Sequence, residues 1–129
     1  MPQHDPMAPT TNDSEQHFRR GLELFNRGEF FAAHEELEEA MNLLAGDESD
    51  WEFYLGLLRA AVANHKLADG VVDSAILHLR AALKFLAPYG DRHRGIMLRE
   101  FRNALTVQLD RLLTRCEQLP QPPRLEWVG

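Results

Sequence analysis

The sequence predicts an all-α fold: two antiparallel helical hairpins followed by a long C-terminal helix. Three observations predict it. Apolar residues recur every three or four positions over most of the chain, as one face of a helix requires. No segment shows the two-residue alternation of a half-buried strand. The pattern that begins at Gly28 recurs from Gly70.

Five helices follow from start and stop signals. Asn12 with Glu15 three residues later resembles a capping box, and Phe18, Leu22 and Phe25 follow at helical spacing up to Gly28. The second helix is expected over 29–45, with Gly46 as its C-terminal cap. Ser49 and Glu52 form a second capping-box pattern, which opens a third helix with Trp51, Tyr54, Leu58, Ala61, Val62 and His65 on one stripe. Asp69 and Gly70 end it. The fourth helix is expected over 71–87 and stops before Pro88. The fifth is expected over 91–118, with the stripe Leu98, Phe101, Leu105, Leu109, Leu112, Cys116 and Leu119. At 1.5 Å per residue it would run roughly 42 Å, against ~25 Å for a hairpin helix. Such a helix overhangs the hairpins, and its stripe would be covered by a homodimer or by the tail with Leu125 and Trp127. The boundaries are a disordered leader at 1–11, one helical domain at 12–119 and a proline-rich tail at 120–129.

The internal repeat is the strongest organisational signal. Gly28 is followed by Phe30, Ala33, Leu37, Ala40 and Met41; Gly70 is followed at the same offsets by Val72, Ala75, Leu79, Ala82 and Leu83. Glycine permits the turn between paired helices, and alanine lets two helix backbones approach. The pattern resembles the tetratricopeptide repeat with a longer connection between hairpins.

Composition limits function. Net charge is −6, yet residues 1–58 hold 13 acids and 3 bases while residues 59–129 hold 7 acids and 11 bases. An acidic chain of this kind is a poor phosphate-backbone binder, so no nucleic-acid partner is expected. No apolar run approaches the ~20 residues of a membrane span, so no membrane partner is expected. The single cysteine, Cys116, excludes an internal disulfide and suits a reducing compartment, which places the chain in the cytoplasm.

The polar residues that carry candidate chemistry lie on the second and third helices. On a helical wheel His34 falls at the edge of the face set by Phe30, Ala33, Leu37 and Ala40. Glu38 is one turn further on, while Glu35, Glu36 and Glu39 turn toward solvent. His65 continues the stripe of the third helix and is expected to face the same interior as His34. Three readings stand: a structural polar network, a ligand pocket between the hairpins, or a divalent metal such as zinc on His34, Glu38 and His65. No His-Glu-x-x-His or Glu-x-x-His pattern, phosphate-binding glycine loop or nucleophile elbow is present. His17, His78 and His93 have no partner pattern and are expected at the surface or its boundary.

The run Phe25-Asn26-Arg27-Gly28-Glu29-Phe30, leading into Ala33-His34-Glu35-Glu36-Leu37-Glu38, resembles the domain of unknown function 309, a family of small helical prokaryotic proteins. A segment around Leu55-Gly56-Leu57 to Asn64-His65 and the helix after Gly70 extend the resemblance to residues 18–89. It implies a helical fold and recurring polar positions at His34, Glu35, Glu38 and His65, and it carries no known reaction. Met41 stands where the family usually has Trp, Tyr54 and Arg59 where Gln is common, and Ser74 where Gly is usual. These changes put Tyr54 and Arg59 beside His34, Glu35, Glu38 and His65 in the candidate ligand site or polar network. The functions expected are a non-catalytic module for a protein or peptide partner, a metal-dependent or acid–base enzyme centred on His34, Glu38 and His65, or a structural homo-oligomer subunit.

Overall fold

The computed structural model describes residues 11–44, 49–114 and 123–126. Its helices are α1 (Thr11–Asn26), α2 (Phe30–Asn42), α3 (Trp51–Ala68), α4 (Val72–Leu86) and α5 (Leu98–Leu113). A 3₁₀ turn, Ala87–Tyr89, follows α4, and a two-stranded hairpin of β1 (Arg92–His93) and β2 (Ile96–Met97) precedes α5. The fold is all-α apart from that hairpin. The helices pack in chain order, α1 on α2, α2 on α3, α3 on α4 and α4 on α5. Residues 1–10 of the expected leader, Gly46, the end of the fifth-helix stripe at Cys116 and Leu119, and Trp127 lie outside the described residues, and Thr11 opens α1.

The two hairpin turns are built alike. Gly28 (φ +82°) and Gly70 (φ +78°) take the left-handed conformation that ends a helix. The Gly28 N–H donates to the Phe25 carbonyl at 3.0 Å and the Glu29 N–H to the Leu24 carbonyl at 2.9 Å. Gly70 and Val71 repeat both bonds, to Leu67 at 3.0 Å and Lys66 at 2.9 Å. Within each hairpin a small residue admits its neighbour. A Cβ on Gly21 would stand 2.8 Å from Leu37 Cγ, and one on Gly56 would stand 2.6 Å from Leu86 Cγ. Forty-two residues before Gly56, Ser14 does carry a side chain, and its hydroxyl donates to the Ala40 carbonyl at 2.7 Å.

Phe18, Leu22 and Phe25 of α1, Ala33 and Leu37 of α2, and Ala75, Leu79 and Ala82 of α4 are buried as the sequence pattern requires, whereas Val72 of that pattern is 37% exposed at the start of α4. Each Phe or Leu so buried contributes about 1.5–3 kcal/mol. Helix α3 departs from its expected single stripe. It lies between α2 and α4, so Phe53, Leu57, Ala60, Asn64 and Leu67 are buried as well. Trp51, placed on the stripe by its spacing, is the first residue of the helix and stays 45% exposed. The Ser49–Glu52 capping box does not form. Asp50 holds the N-cap position without a side-chain cap bond, because Nε2 of His93 and Nη1 of Arg94 each approach its carboxylate at 2.7 Å.

The fifth helix begins at Leu98, seven residues later than expected. Arg94 (φ +46°) and Gly95 (φ +78°) both take left-handed backbone, the requirement of a tight two-residue hairpin loop, and pair Arg92 with Met97 and His93 with Ile96. Asp91 still serves the helix, since its carbonyl accepts the N–H groups of Leu98 and Arg99 at 2.9 and 3.0 Å. The helix therefore spans about 24 Å by its rise, no longer than its neighbours. Leu98, Phe101, Leu105 and Leu112 of its stripe are buried within the chain, and Leu125 of the tail segment is 2% exposed. Among the described residues, this part of the stripe packs into the core of one chain.

Candidate functional site

Helices α2 and α3 bound a cleft of about 230 Å³ lined by Phe31, His34, Val62, His65 and Lys66. Phe31 sits in the first turn of α2, off the face that packs on the core, and stays 55% exposed. Its ring centroid lies 5.9 Å from that of His34 and 5.4 Å from that of His65. The two histidines share the cleft, as their positions on the wheel suggested, with an aromatic ring in contact with both.

Each histidine has its own carboxylate. His34, with 27% of its side chain exposed, places Nε2 3.7 Å from Glu38 Oε2. His65 places Nε2 3.5 Å from Asp69 Oδ2. Glu38 is not half-buried as expected: 55% of its side chain is exposed, and Glu35 is exposed as well. The half-buried acid of α2 is Glu36, which the wheel pointed toward water. Helix α1 covers that face, and Glu36 accepts from His17 Nδ1 at 2.6 Å and lies 3.3 Å from Arg20 Nε.

Tyr54 is not part of the cleft. Its ring is fully buried against Phe18 at 5.1 Å and beneath the Arg94 guanidinium at 5.3 Å. Burial pushes the phenol pKa up, and Arg94 and Ser14 oppose that shift. Arg59 points to α4 instead of α2, and its Nη1 donates to His78 Nδ1 at 3.1 Å. His78 is pushed below the ordinary histidine range by burial, then by the charges of Arg59, Lys66 and His34. An Nδ1 that accepts a hydrogen bond is unprotonated, so geometry and electrostatics both describe a neutral ring.

Among the described residues no group of three or more His, Cys, Asp or Glu side chains is placed to hold a metal ion. His34, Glu38 and His65 form parts of two separate pairs instead of one three-ligand set. A second polar cluster was missed by the sequence reading. Arg94 bridges Asp50 at 2.7 Å and Glu15 at 3.0 Å, and the His93 ring packs on Phe53 at 4.6 Å and Tyr89 at 4.8 Å. The Arg94-Gly95 pair before an apolar dipeptide was the one available signal of that turn.

These features define a compact helical-hairpin domain with a small, partly charged cleft. Residues 18–77 match the family model described as Domain of unknown function (DUF309). The chain is also 35% identical over 103 residues to a protein of Aquifex aeolicus (strain VF5) described as uncharacterized. That match covers 80% of this chain and 29% of the relative, so the chain spans less than a third of its length. No solved structure matches the chain. No helix among the described residues is long and apolar enough to cross a membrane.

Proposed function

We propose that the chain is a non-catalytic binding module that takes a protein or peptide partner at the α2–α3 cleft. The observation that carries this reading is Phe31, held 55% exposed at the cleft. Leaving a phenylalanine in water forgoes about 1.5–3 kcal/mol of burial, and a partner that covers it recovers that energy. The cleft volume supports that ligand class. About 230 Å³ falls below the roughly 300–1,000 Å³ of small-molecule sites, and suits one or two partner side chains. Val62 extends the apolar floor, while His34, His65 and Lys66 supply a polar rim. The lone cysteine supports a cytoplasmic setting for such a module.

Selection of a random peptide library on the immobilised chain tests the reading. Enriched peptides are expected to bind at least about tenfold more weakly to a Phe31→Ala chain, a loss of about 1.4 kcal/mol by calorimetry. Failure to enrich any sequence, or equal binding to the variant, rejects it.

A second reading rests on the 3.7 Å pair of His34 and Glu38. A carboxylate beside an imidazole at a cleft is found in acid–base and metal-dependent enzymes, and His65 also lines this cleft. Zinc found by elemental analysis of protein purified without chelator, and lost in His34→Ala, would favour it over the binding module.

A further inference from the structure

Away from the cleft, and sharing no residue with it, the end of α1 holds an extended segment of the chain. Asn26 is the last residue of α1. Its Nδ2 donates to the Leu125 carbonyl at 2.8 Å, and its Oδ1 accepts the Leu125 N–H at 2.7 Å. One side-chain amide thus pairs with both backbone groups of one residue, as a neighbouring strand would. One residue further on, the Met97 N–H of β2 donates to the Glu126 carbonyl at 3.0 Å. Pro123 and Leu125 are buried, and Arg124 and Glu126 between and after them are exposed. Leu125 joins the same apolar cluster as Phe25, Ile96 and Phe101.

This is how a groove recognises an extended peptide. Main-chain bonds supply sequence-independent grip, and a site for every second side chain supplies selection. Phe25, the residue before Asn26, is buried and in edge-to-face contact with Phe101 at 5.7 Å, so the core under this end of α1 is well packed. We propose that this groove is a peptide-reading site. Residues 123–126 are its resident occupant, and it accepts from a partner protein an extended segment with an apolar residue at the Leu125 position and proline two residues before it. The proposal stands independently of the α2–α3 cleft.

Exchange follows from the size of the contact. Three hydrogen bonds and the burial of Pro123 and Leu125 work against the ordering of four residues, and the opposing quantities are of the same order. Such a segment opens locally, without unfolding the helices. Because it is tethered, it competes at an effective concentration in the mM range, so a free peptide meets a groove that is mostly filled.

The test uses the full chain carrying Leu125→Asp, which places a carboxylate where the groove is apolar and expels the resident segment. A labelled peptide of residues 120–129 is titrated into this variant, into the wild type and into the Asn26→Ala/Leu125→Asp double variant. Binding to Leu125→Asp is expected to be at least about tenfold tighter than to the wild type, to shift the Asn26 side-chain amide resonances, and to vanish in the double variant. A folded Leu125→Asp chain that ignores the peptide, or binding that survives loss of Asn26, overturns the proposal. So does a wild-type dimer that Leu125→Asp converts to monomer, because the occupant is then a second copy. If Leu125→Asp fails to fold, amide exchange of the wild type decides. Exchange at Leu125 at least about 100-fold faster than at core Leu57 supports an opening groove, and equal rates overturn it.

Discussion

At the residue scale, the decisive fact about the cleft is which side chains already have partners. His34 and His65 each sit against a carboxylate, while the exposed Phe31 ring touches both. His78 is the residue whose protonation is most clearly constrained. Burial lowers its pKa first, and Arg59, Lys66 and His34 add to the shift. Below about pH 6.5, the ordinary histidine value, the unfolded chain then binds a proton that the folded chain refuses. Stability rises with pH wherever the unfolded state holds more protons, so this contribution is present above pH ~6.5 and is lost as pH falls through the folded value. Urea melts from pH 7 to pH 5 are expected to show a falling midpoint. A His78→Asn variant, which keeps an acceptor for Arg59, is expected to show a flatter profile; an equal slope in both proteins rejects the assignment. The candidate site was legible in sequence to the extent that a single helix determines it. The wheel of α2 put His34 at the edge of the buried face, and the stripe of α3 put His65 on the same side. Glu36, Tyr54 and Arg59 were misplaced because their surroundings come from α1, Arg94 and α4. A wheel reports the angle of a residue on its own helix, not which neighbour covers that angle.

At the element scale, the hairpins were readable because their turns and close contacts are local. Gly28 and Gly70 announce the caps, and alanines at fixed offsets announce the tight faces. The β1–β2 hairpin was not readable, because Arg94-Gly95 lacks the Asn-Gly or Asp-Gly signature of such a loop. With Asp91 ahead and a long apolar stripe behind, the segment looked like one continuous helix. The tight faces make a prediction for α3 and α4. A methyl group at position 56 would stand 2.6 Å from Leu86 Cγ and 3.4 Å from the Ala82 carbonyl oxygen, and Leu86 is itself fully buried. Neither can yield without moving helix α4. Gly56→Ala is therefore expected to cost about 1–3 kcal/mol by chemical denaturation, despite the better helix propensity of alanine. A more stable variant would show that the two helices separate freely at this point. The equivalent position of the first hairpin, Ser14, is already occupied by a hydroxymethyl group bonded across to Ala40, so the two hairpins differ in how closely their helices meet.

At the scale of the whole molecule, a chain that packs each helix on the next resembles a one-dimensional stack, whose ends come loose unless something ties them. Three contacts do so. Gln108 of α5 donates to buried Asn64 of α3 at 2.6 Å, Asn26 of α1 holds Leu125, and Arg94 of the β-hairpin binds Glu15 of α1 together with Asp50 at the start of α3. Arg94 is the most connected of these. Its guanidinium also lies 5.6 Å from the Phe18 ring centroid and 5.3 Å from that of Tyr54, and it is held in a left-handed backbone that only this turn requires. Removing it leaves Asp50, with only 11% of its side chain exposed, facing His93 alone. Arg94→Ala is expected to cost roughly 2–4 kcal/mol, toward the range for breaking a buried pair and reduced for the partial exposure of the arginine. Its distribution is more telling than its size. The polar tie from the β-hairpin to α1 is then lost, while the Asn26–Leu125 bonds and the Phe25–Phe101 contact with α5 remain. Hydrogen exchange of the native state should show protection falling most at Phe18 and Leu22 of α1, and least at Leu79 of α4, whose neighbours on α3 are untouched. A uniform loss across all five helices would mean instead that Arg94 supports the molecule as one cooperative unit.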